Sequence, residues 1–250
     1  MDARSHEVLQ KRKLNAVQFR LLISLVLWSF GSAGQPLTGA WKLKTTDGSE
    51  VIKIYGTNYF MAGACTAQGQ FLYAYGGRYS LAGDTYTETY DFFTADSALV
   101  GKSHTFNIRL KKETMHLTFG NEKAEWMKID NSATALTGTW RFAARVDESG
   151  VAGERRSADS PRQTIKILSG KYFQWAAFNR ETKQFMGTGG GTYLLAGGSY
   201  TENIRFFSRD NTRSGMSLTF DCRLEGTDWY HKGKGTTGNT VSEVWERLTK

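Results

Sequence analysis

Two glutamates stand in nearly the same surroundings. Glu88 lies in LAGDTYTETYDFF, Leu81 to Phe93, and Glu202 lies 114 residues later in LAGGSYTENIRFF, Leu195 to Phe207. Each follows a tyrosine by two positions, Tyr86 and Tyr200 respectively. In extended chain, side chains two apart share a face. A carboxylate and a phenol therefore project together with apolar neighbours, Tyr90 and Phe92 in one copy, Ile204 and Phe206 in the other. A carboxylate set among rings can anchor the polar group of a ligand whose body rests on the aromatics. It can also act as a general base, given a substrate-sized cavity and a tuned pKa. A structural use competes with both. An isolated buried carboxylate must be paired, hydrogen-bonded or protonated, and on the structural reading each glutamate only fixes register through a tyrosine or a basic partner on a facing strand. Tyr86, Glu88, Tyr90, Phe92, Tyr200, Glu202, Ile204 and Phe206 are the candidate ligand-binding residues.

Other chemistry is thinly represented. His104 reads as an inward core residue, and neither His116 nor His231 has an acidic or cysteine partner at metal-ligand spacing. The glycine run GTGGGT, Gly187 to Thr192, lies between strands and opens no helix, which suits a bend or bulge and not a phosphate loop. No serine or cysteine sits in a nucleophile turn. The sequence thus predicts no catalytic residue, no metal and no cofactor, and an enzyme using Glu202 as base is the weakest of three readings. The two cysteines, Cys65 and Cys222, fall at non-equivalent places in the two copies, and their pairing stays open. Cys222 alternates with Phe220 and Leu224, so it reads as a small apolar residue.

The elements that must carry these residues follow from a duplication. LTGAWKL (Leu37–Leu43) matches LTGTWRF (Leu136–Phe142), VIKIYGTNYF (Val51–Phe60) matches TIKILSGKYF (Thr164–Phe173), HTFNIRL (His104–Leu110) matches LTFDCRL (Leu218–Leu224), and EWMKI (Glu125–Ile129) matches VWERL (Val244–Leu248). Within each copy the period is two. Tyr200, Ile204 and Phe206 share one face, and Leu218, Phe220, Cys222 and Leu224 share another, the mark of half-buried strands. About eight such strands per copy, with no helical pattern between them, read as an antiparallel meander that removes its edges by closing on itself. The expected fold is all-β, two tandem up-and-down antiparallel barrels. The expected division is residues 35–130 for barrel 1, 131–135 for a linker, and 136–250 for barrel 2. So short a linker implies that the halves touch or are held close.

Gly39-Ala40-Trp41 and Gly138-Thr139-Trp140 resemble the Gly-x-Trp that opens the first strand of lipocalins. In that family the tryptophan closes one barrel end beneath a basic residue of the last strand, a role that Arg247 matches in copy two and Lys128 in copy one. The chain resembles a tandem of the lipocalin-like, calycin-type domains of unknown function found in exported bacterial proteins. The Thr-Asp-Tyr-type motif of true lipocalins is not evident. The resemblance implies a barrel with a cavity for a small, often apolar molecule. One asymmetry separates the copies. Trp41 to Ile52 spans 11 positions and Trp140 to Ile165 spans 25, the excess lying in the polar stretch Ala144 to Arg162. In the resembled family this loop lies over the open mouth, so it reads either as a basic lid or as a surface insertion.

The N-terminus reads as an address. Lys11, Arg12, Lys13 and Arg20 precede the apolar run LLISLVLWSF and the small residues GSAG, a pattern that predicts a signal peptide over residues 1–34 and a secreted or periplasmic product without a transmembrane segment. Those residues carry +3 of the formal +8; residues 35–133 are neutral, and the remaining +5 is dispersed over residues 134–250. That is not the basic stripe of a nucleic-acid binder. The expected function is non-enzymatic binding of a small hydrophobic or amphipathic molecule, or a carbohydrate, in aromatic-lined barrels. The alternative is a structural or adaptor protein with filled barrels, meeting a partner protein through its outer surfaces.

Overall fold

A computed structural model describes residues 37–249. The expected signal peptide lies outside them, and no described helix is long and apolar enough to cross a membrane. The chain forms β1 (Gly39–Leu43), β2 (Glu50–Tyr55), β3 (Tyr59–Cys65), β4 (Phe71–Ala82), β5 (Thr85–Phe93), β6 (Ser103–Lys111), β7 (Thr114–Phe119) and β8 (Glu122–Asp130). It then repeats the series as β9 (Gly138–Arg145), β10 (Arg162–Leu168), β11 (Tyr172–Asn179), β12 (Phe185–Ala196), β13 (Ser199–Phe207), β14 (Ser217–Glu225), β15 (Asp228–Lys234) and β16 (Thr240–Arg247). Each octet is antiparallel, with neighbours in chain order, and closes when its last strand pairs with its first. The only helical residues described are two single 3-10 turns, Ser97–Leu99 and Asn211–Arg213, capped by Asp96 and Asp210.

The end closure expected from the Gly-x-Trp motifs is present twice. The Trp41 and Trp140 indoles are buried and donate to the carbonyls of Leu37 and Leu136, at 2.8 and 2.7 Å. Lys128 Nζ lies 4.9 Å from the Trp41 ring centre, and the Arg247 guanidinium lies 4.1 Å from that of Trp140. The glycine of each motif has a backbone reason: Gly39 and Gly138 adopt φ of 115° and 131°, where a β-carbon would be strained. A β-carbon on Gly39 would also collide with the Asp130 carbonyl.

One expectation about facing fails in both copies for the same reason. Gly76 pairs with Phe92 while Gly77 pairs with Tyr90, and Gly190 pairs with Phe206 while Gly191 pairs with Ile204. Asp91 and Arg205 are thus extra residues, β-bulges that reverse the alternation beyond them. Phe93 and Phe207 turn into the barrels, and Phe92 and Phe206 turn out of them. The outward phenylalanines have a shared use. Phe92 stacks on Phe178 and Phe185 of barrel 2, at 5.2 and 6.0 Å, and Phe206 meets Phe71 of barrel 1 at 5.9 Å.

Phe71, Phe92, Phe178 and Phe185 belong to an apolar seam between the barrels, completed by Ile54, Met61, Ile165 and Ile167, and Phe206 packs on it through Phe71. The bulge residues cross the same seam. Arg205 binds Glu50 Oε1 at 3.0 Å and the Ala67 carbonyl at 3.0 Å, while Asp91 lies 3.9 Å from Arg180. Because equivalent elements of the two copies meet each other, the interface has the self-complementary form of a two-fold dimer made within one chain. Asp130, at the end of β8, accepts from Ser169 Oγ and the Lys171 amide, which ties the junction to barrel 2.

The long segment after β9 is part of the wall. Val146 bridges Ala152, the Gly153 amide donates to Arg145, and the Arg156 amide donates to Ala143. The segment therefore pairs with the half of β9 that β10 leaves uncovered. Arg155 is salt-bridged to Asp228 at its far side.

Candidate functional site

Inside barrel 1, Lys53 and Glu88 form a buried ion pair, each about 2% exposed at the side chain. Lys53 Nζ lies 2.6 Å from Glu88 Oε1. The same oxygen accepts from the Tyr86 hydroxyl at 2.7 Å, and Oε2 accepts from the Tyr90 hydroxyl at 3.0 Å. Tyr55 shares a hydrogen bond of 2.9 Å with Tyr86. The ammonium also sits 5.0 Å from the ring centres of Phe60 and Tyr75 and 4.8 Å from Trp126. Ring faces are negative, so they stabilise the cation further. Burial works to lower the Lys53 pKa, but the Glu88 charge and the Tyr55 hydroxyl outweigh it, and the net shift is upward.

Barrel 2 repeats the unit. Lys166 Nζ lies 2.8 Å from Glu202 Oε1, which also accepts from the Tyr200 hydroxyl at 2.9 Å. Tyr200, Trp229 and Trp245 surround the ammonium at 5.0–5.2 Å. Ile204 stands where barrel 1 has Tyr90, so the second phenolic donor is absent. Burial, then the neighbouring carboxylate, pushes both Tyr86 and Tyr200 well above the usual phenol range, so each is a fixed O–H donor.

Of the predicted site residues, Tyr86, Glu88 and Tyr90 are brought together, as are Tyr200, Glu202 and Ile204. Phe92 and Phe206 are not, because of the bulges. The lysines escaped the sequence reading, although IKI occurs at matching positions in VIKIYGTNYF and TIKILSGKYF. His104 projects into barrel 1 as expected, half-buried, with its ring 5.5 Å from Tyr90 and 5.6 Å from Phe119. Both cysteines are free thiols.

Open space adjoins each unit. Barrel 1 holds a cavity of about 470 Å³ above Lys53 and Glu88, walled by Tyr75, Phe93, Phe106, Leu117, Phe119 and Trp126. Barrel 2 holds a smaller one of about 200 Å³ beside Lys166 and Glu202. Trp175, Ile204, Phe220 and Trp245 form its apolar wall. A cleft of about 470 Å³ also runs between the barrels, over Ile52, Ile129 and Phe206, with the Lys42–Glu50–Arg205 ion triad at its edge. The described residues contain no cluster of three or more side chains suited to a metal ion.

The chain matches no family model and no curated protein. Among solved structures it is similar to a lipocalin-like protein from Bacteroides uniformis, at 18% identity and a TM-score of 0.29, covering 38% of this chain and 99% of that one. An uncharacterized protein from Bacteroides eggerthii is similar at 18% identity and a TM-score of 0.28, over 37% of this chain and 98% of its own. An uncharacterized protein from Saccharomyces cerevisiae is similar at 10% identity and a TM-score of 0.43, over 85% and 98%.

Proposed function

We propose that this chain, a tandem of two lipocalin-like barrels, is a non-enzymatic binding protein whose barrel 1 holds a small amphipathic molecule. The observation that carries the reading is the aromatic-walled cavity of about 470 Å³ directly over the Lys53–Glu88 pair. Its size lies in the range of pockets that enclose a small ligand.

The polar inventory narrows the ligand. An ionised carboxylate offers about four lone-pair sites, and Lys53, Tyr86 and Tyr90 occupy three of those on Glu88. The remaining acceptor belongs to Oε2. Trp126, also in the wall, has an indole N–H that is buried without a partner. One spare acceptor and one spare donor suit a neutral hydroxyl or amide. A ligand carboxylate would meet Glu88, whose counter-ion Lys53 is already taken, while Lys123 in the lining stands beside Glu122. The expected ligand has an apolar body and one neutral polar head.

Native mass spectrometry of the purified protein and titration with decanol and decanoate test this. Decanol should bind and quench Trp126 fluorescence, Glu88→Gln should weaken it, and Leu117→Trp, which fills the cavity, should abolish it. Equal binding of decanoate, or decanol binding unaffected by Leu117→Trp, would sink the reading. Export is part of the same proposal, supported by the basic and apolar pattern of residues 11–34. An N-terminus mapped upstream of residue 30 on the extracellular or periplasmic product would oppose it.

A second reading suits barrel 2. Glu202 is held by its own lysine and tyrosine beside a cavity less than half the size of the other. That supports a structural role for the ion pair, fixing strand register from within.

A further inference from the structure

Barrel 2 departs from barrel 1 at one inward cross-strand pair. In barrel 1, Leu117 pairs on β7 with Ala124 on β8. Those positions correspond to His231 on β15 and Glu243 on β16, which pair with each other. An apolar pair has become a polar one, placed to face the barrel 2 cavity. Both residues line it.

His231 is 4% exposed and neither ring nitrogen has a hydrogen-bond partner. Its nearest acidic atom is Glu243 Oε2 at 4.0 Å, beyond hydrogen-bond distance. A buried polar group without a partner is costly, by about 1–3 kcal/mol, and the ring is fixed in place by Phe220, Trp229 and Tyr200 at 4.0, 5.2 and 5.7 Å. Glu243 accepts from the Trp245 indole at 3.1 Å, which orients its carboxyl group. In barrel 1, where Ala124 stands, the equivalent indole of Trp126 lacks such an acceptor. The cavity also presents Glu202, two of whose lone-pair sites are taken by Lys166 and Tyr200, and the side chains of Thr164 and Thr236.

We infer that barrel 2 is a second binding site, selective for a small neutral polyol of monosaccharide size or less, with His231 and Glu243 as its hydroxyl-binding residues. A neutral imidazole supplies one donor and one acceptor, and carboxylate oxygens supply several acceptors. A ligand carrying several hydroxyls, each able to donate and accept, satisfies such a set. The rings of Trp175, Phe220 and Trp245 offer apolar surface for its C–H faces. Charge argues for neutrality. Lys166 and Glu202 already neutralise each other, so an anion would meet the Glu243 carboxyl group with no other cation in the lining to offset it, and a cation would approach the Lys166 ammonium in a site where burial favours the neutral form of Glu243. A volume of about 200 Å³ excludes larger glycans from full enclosure. The site stands on residues that barrel 1 does not have, so it is independent of the amphipathic ligand assigned to that barrel.

The test uses the purified protein with myo-inositol and D-glucose as probes, D-glucuronate and D-glucosamine as charged comparators, and cyclohexanol as the one-hydroxyl comparator. Imidazole nitrogen NMR of His231 gives the readout in the unmodified protein, so it needs no variant. At least one of the two polyols should move the His231 signals saturably, and each comparator should bind at least tenfold more weakly. His231→Leu/Glu243→Ala, which installs the side chains that barrel 1 tolerates, should weaken the polyol at least tenfold while leaving decanol binding in barrel 1 intact. His231 signals unmoved by both polyols would overturn the inference. So would a cyclohexanol or glucuronate response equal to that of the polyol, or polyol binding that survives the double substitution.

Discussion

Barrel 1 and barrel 2 keep the same buried lysine, glutamate and tyrosine, yet the space beside them differs, about 470 Å³ against about 200 Å³. The difference traces to a few cross-strand pairs. Ala62 faces Tyr75 in barrel 1, and the equivalent pair in barrel 2 is Trp175 facing Gly189. The large side chain has moved from one strand to its neighbour. Leu117 with Ala124 has become His231 with Glu243, and Tyr90 has become Ile204. What persists is the charged unit that ties β2 to β5 and β10 to β13. What varies is the wall. The two copies therefore share the buried ion pair that links these strands and differ in the residues that line the space beside it.

The largest expected effect tests whether the charged unit is equally secure in both halves. Removing one member of a buried ion pair leaves an uncompensated charge and typically costs about 3–5 kcal/mol. After Lys53→Met, Glu88 keeps two tyrosine hydroxyls; after Lys166→Met, Glu202 keeps one. Lys166→Met should therefore destabilise more, measured by urea unfolding at neutral pH. Equal losses would mean that the Tyr90 bond contributes nothing to holding the charge.

The exchanged tryptophan comes next. Trp175→Ala should cost about 3 kcal/mol through the void it leaves. Adding Gly189→Tyr, which rebuilds the barrel 1 arrangement, should recover a good part of that loss in the same denaturation assay. A double variant no more stable than Trp175→Ala would show that the two pairs are not alternative solutions to one packing problem.

A pH series sharpens the contrast at His231. Burial, then the nearby Lys166 charge, holds its pKa well below the ordinary histidine value. Below about pH 6.5 the unfolded chain takes up a proton that the folded protein refuses, so stability falls with falling pH by up to about 1.4 kcal/mol per unit. Glu243 acts in the opposite sense, since burial raises its pKa and the folded protein holds that proton more tightly. Comparison with His231→Leu between pH 7 and 5 isolates the histidine. The variant should lose less stability over that range, and parallel curves would show that His231 is protonated in the folded state.

Legibility in the sequence followed the same division. Period two in SYTENIRFF, the doubled Gly-x-Trp and the absence of helical pattern led to two closed barrels with inward glutamates. The reading slipped where a bulge breaks the period, because DFF and RFF each offer two adjacent phenylalanines and nothing in the pattern marks Asp91 or Arg205 as the extra residue. It missed Lys53 and Lys166 for a different reason. Flanking isoleucines suggest that a lysine points outward, but Ile54 and Ile167 face the other barrel across the seam, so both faces of those strands are buried. Two-sided burial removes the contrast that alternation relies on. His231 and Glu243 meet only across a strand pair, a relation that ligand spacing along the chain does not reveal.

The smallest expected effect concerns the closed ends. Arg247 covers Trp140 and donates to the carbonyls of Thr137 and Ala135, both at 2.6 Å. Lys128 covers Trp41 from a greater distance. A guanidinium is planar, stacks on a ring and keeps its donors in a fixed fork, whereas an ammonium is a hydrated point charge. Arg247→Lys should therefore cost about 1 kcal/mol through loss of the paired carbonyl bonds. Lys128→Arg should change stability by under about 0.5 kcal/mol, since cation–ring contacts at exposed sites are weak. If thermal unfolding shows the two substitutions to be equal in size, the forked hydrogen bonds hold nothing at the barrel 2 end. The two closures would then be equivalent despite their different residues, and the divergence of the halves would be confined to their cavities.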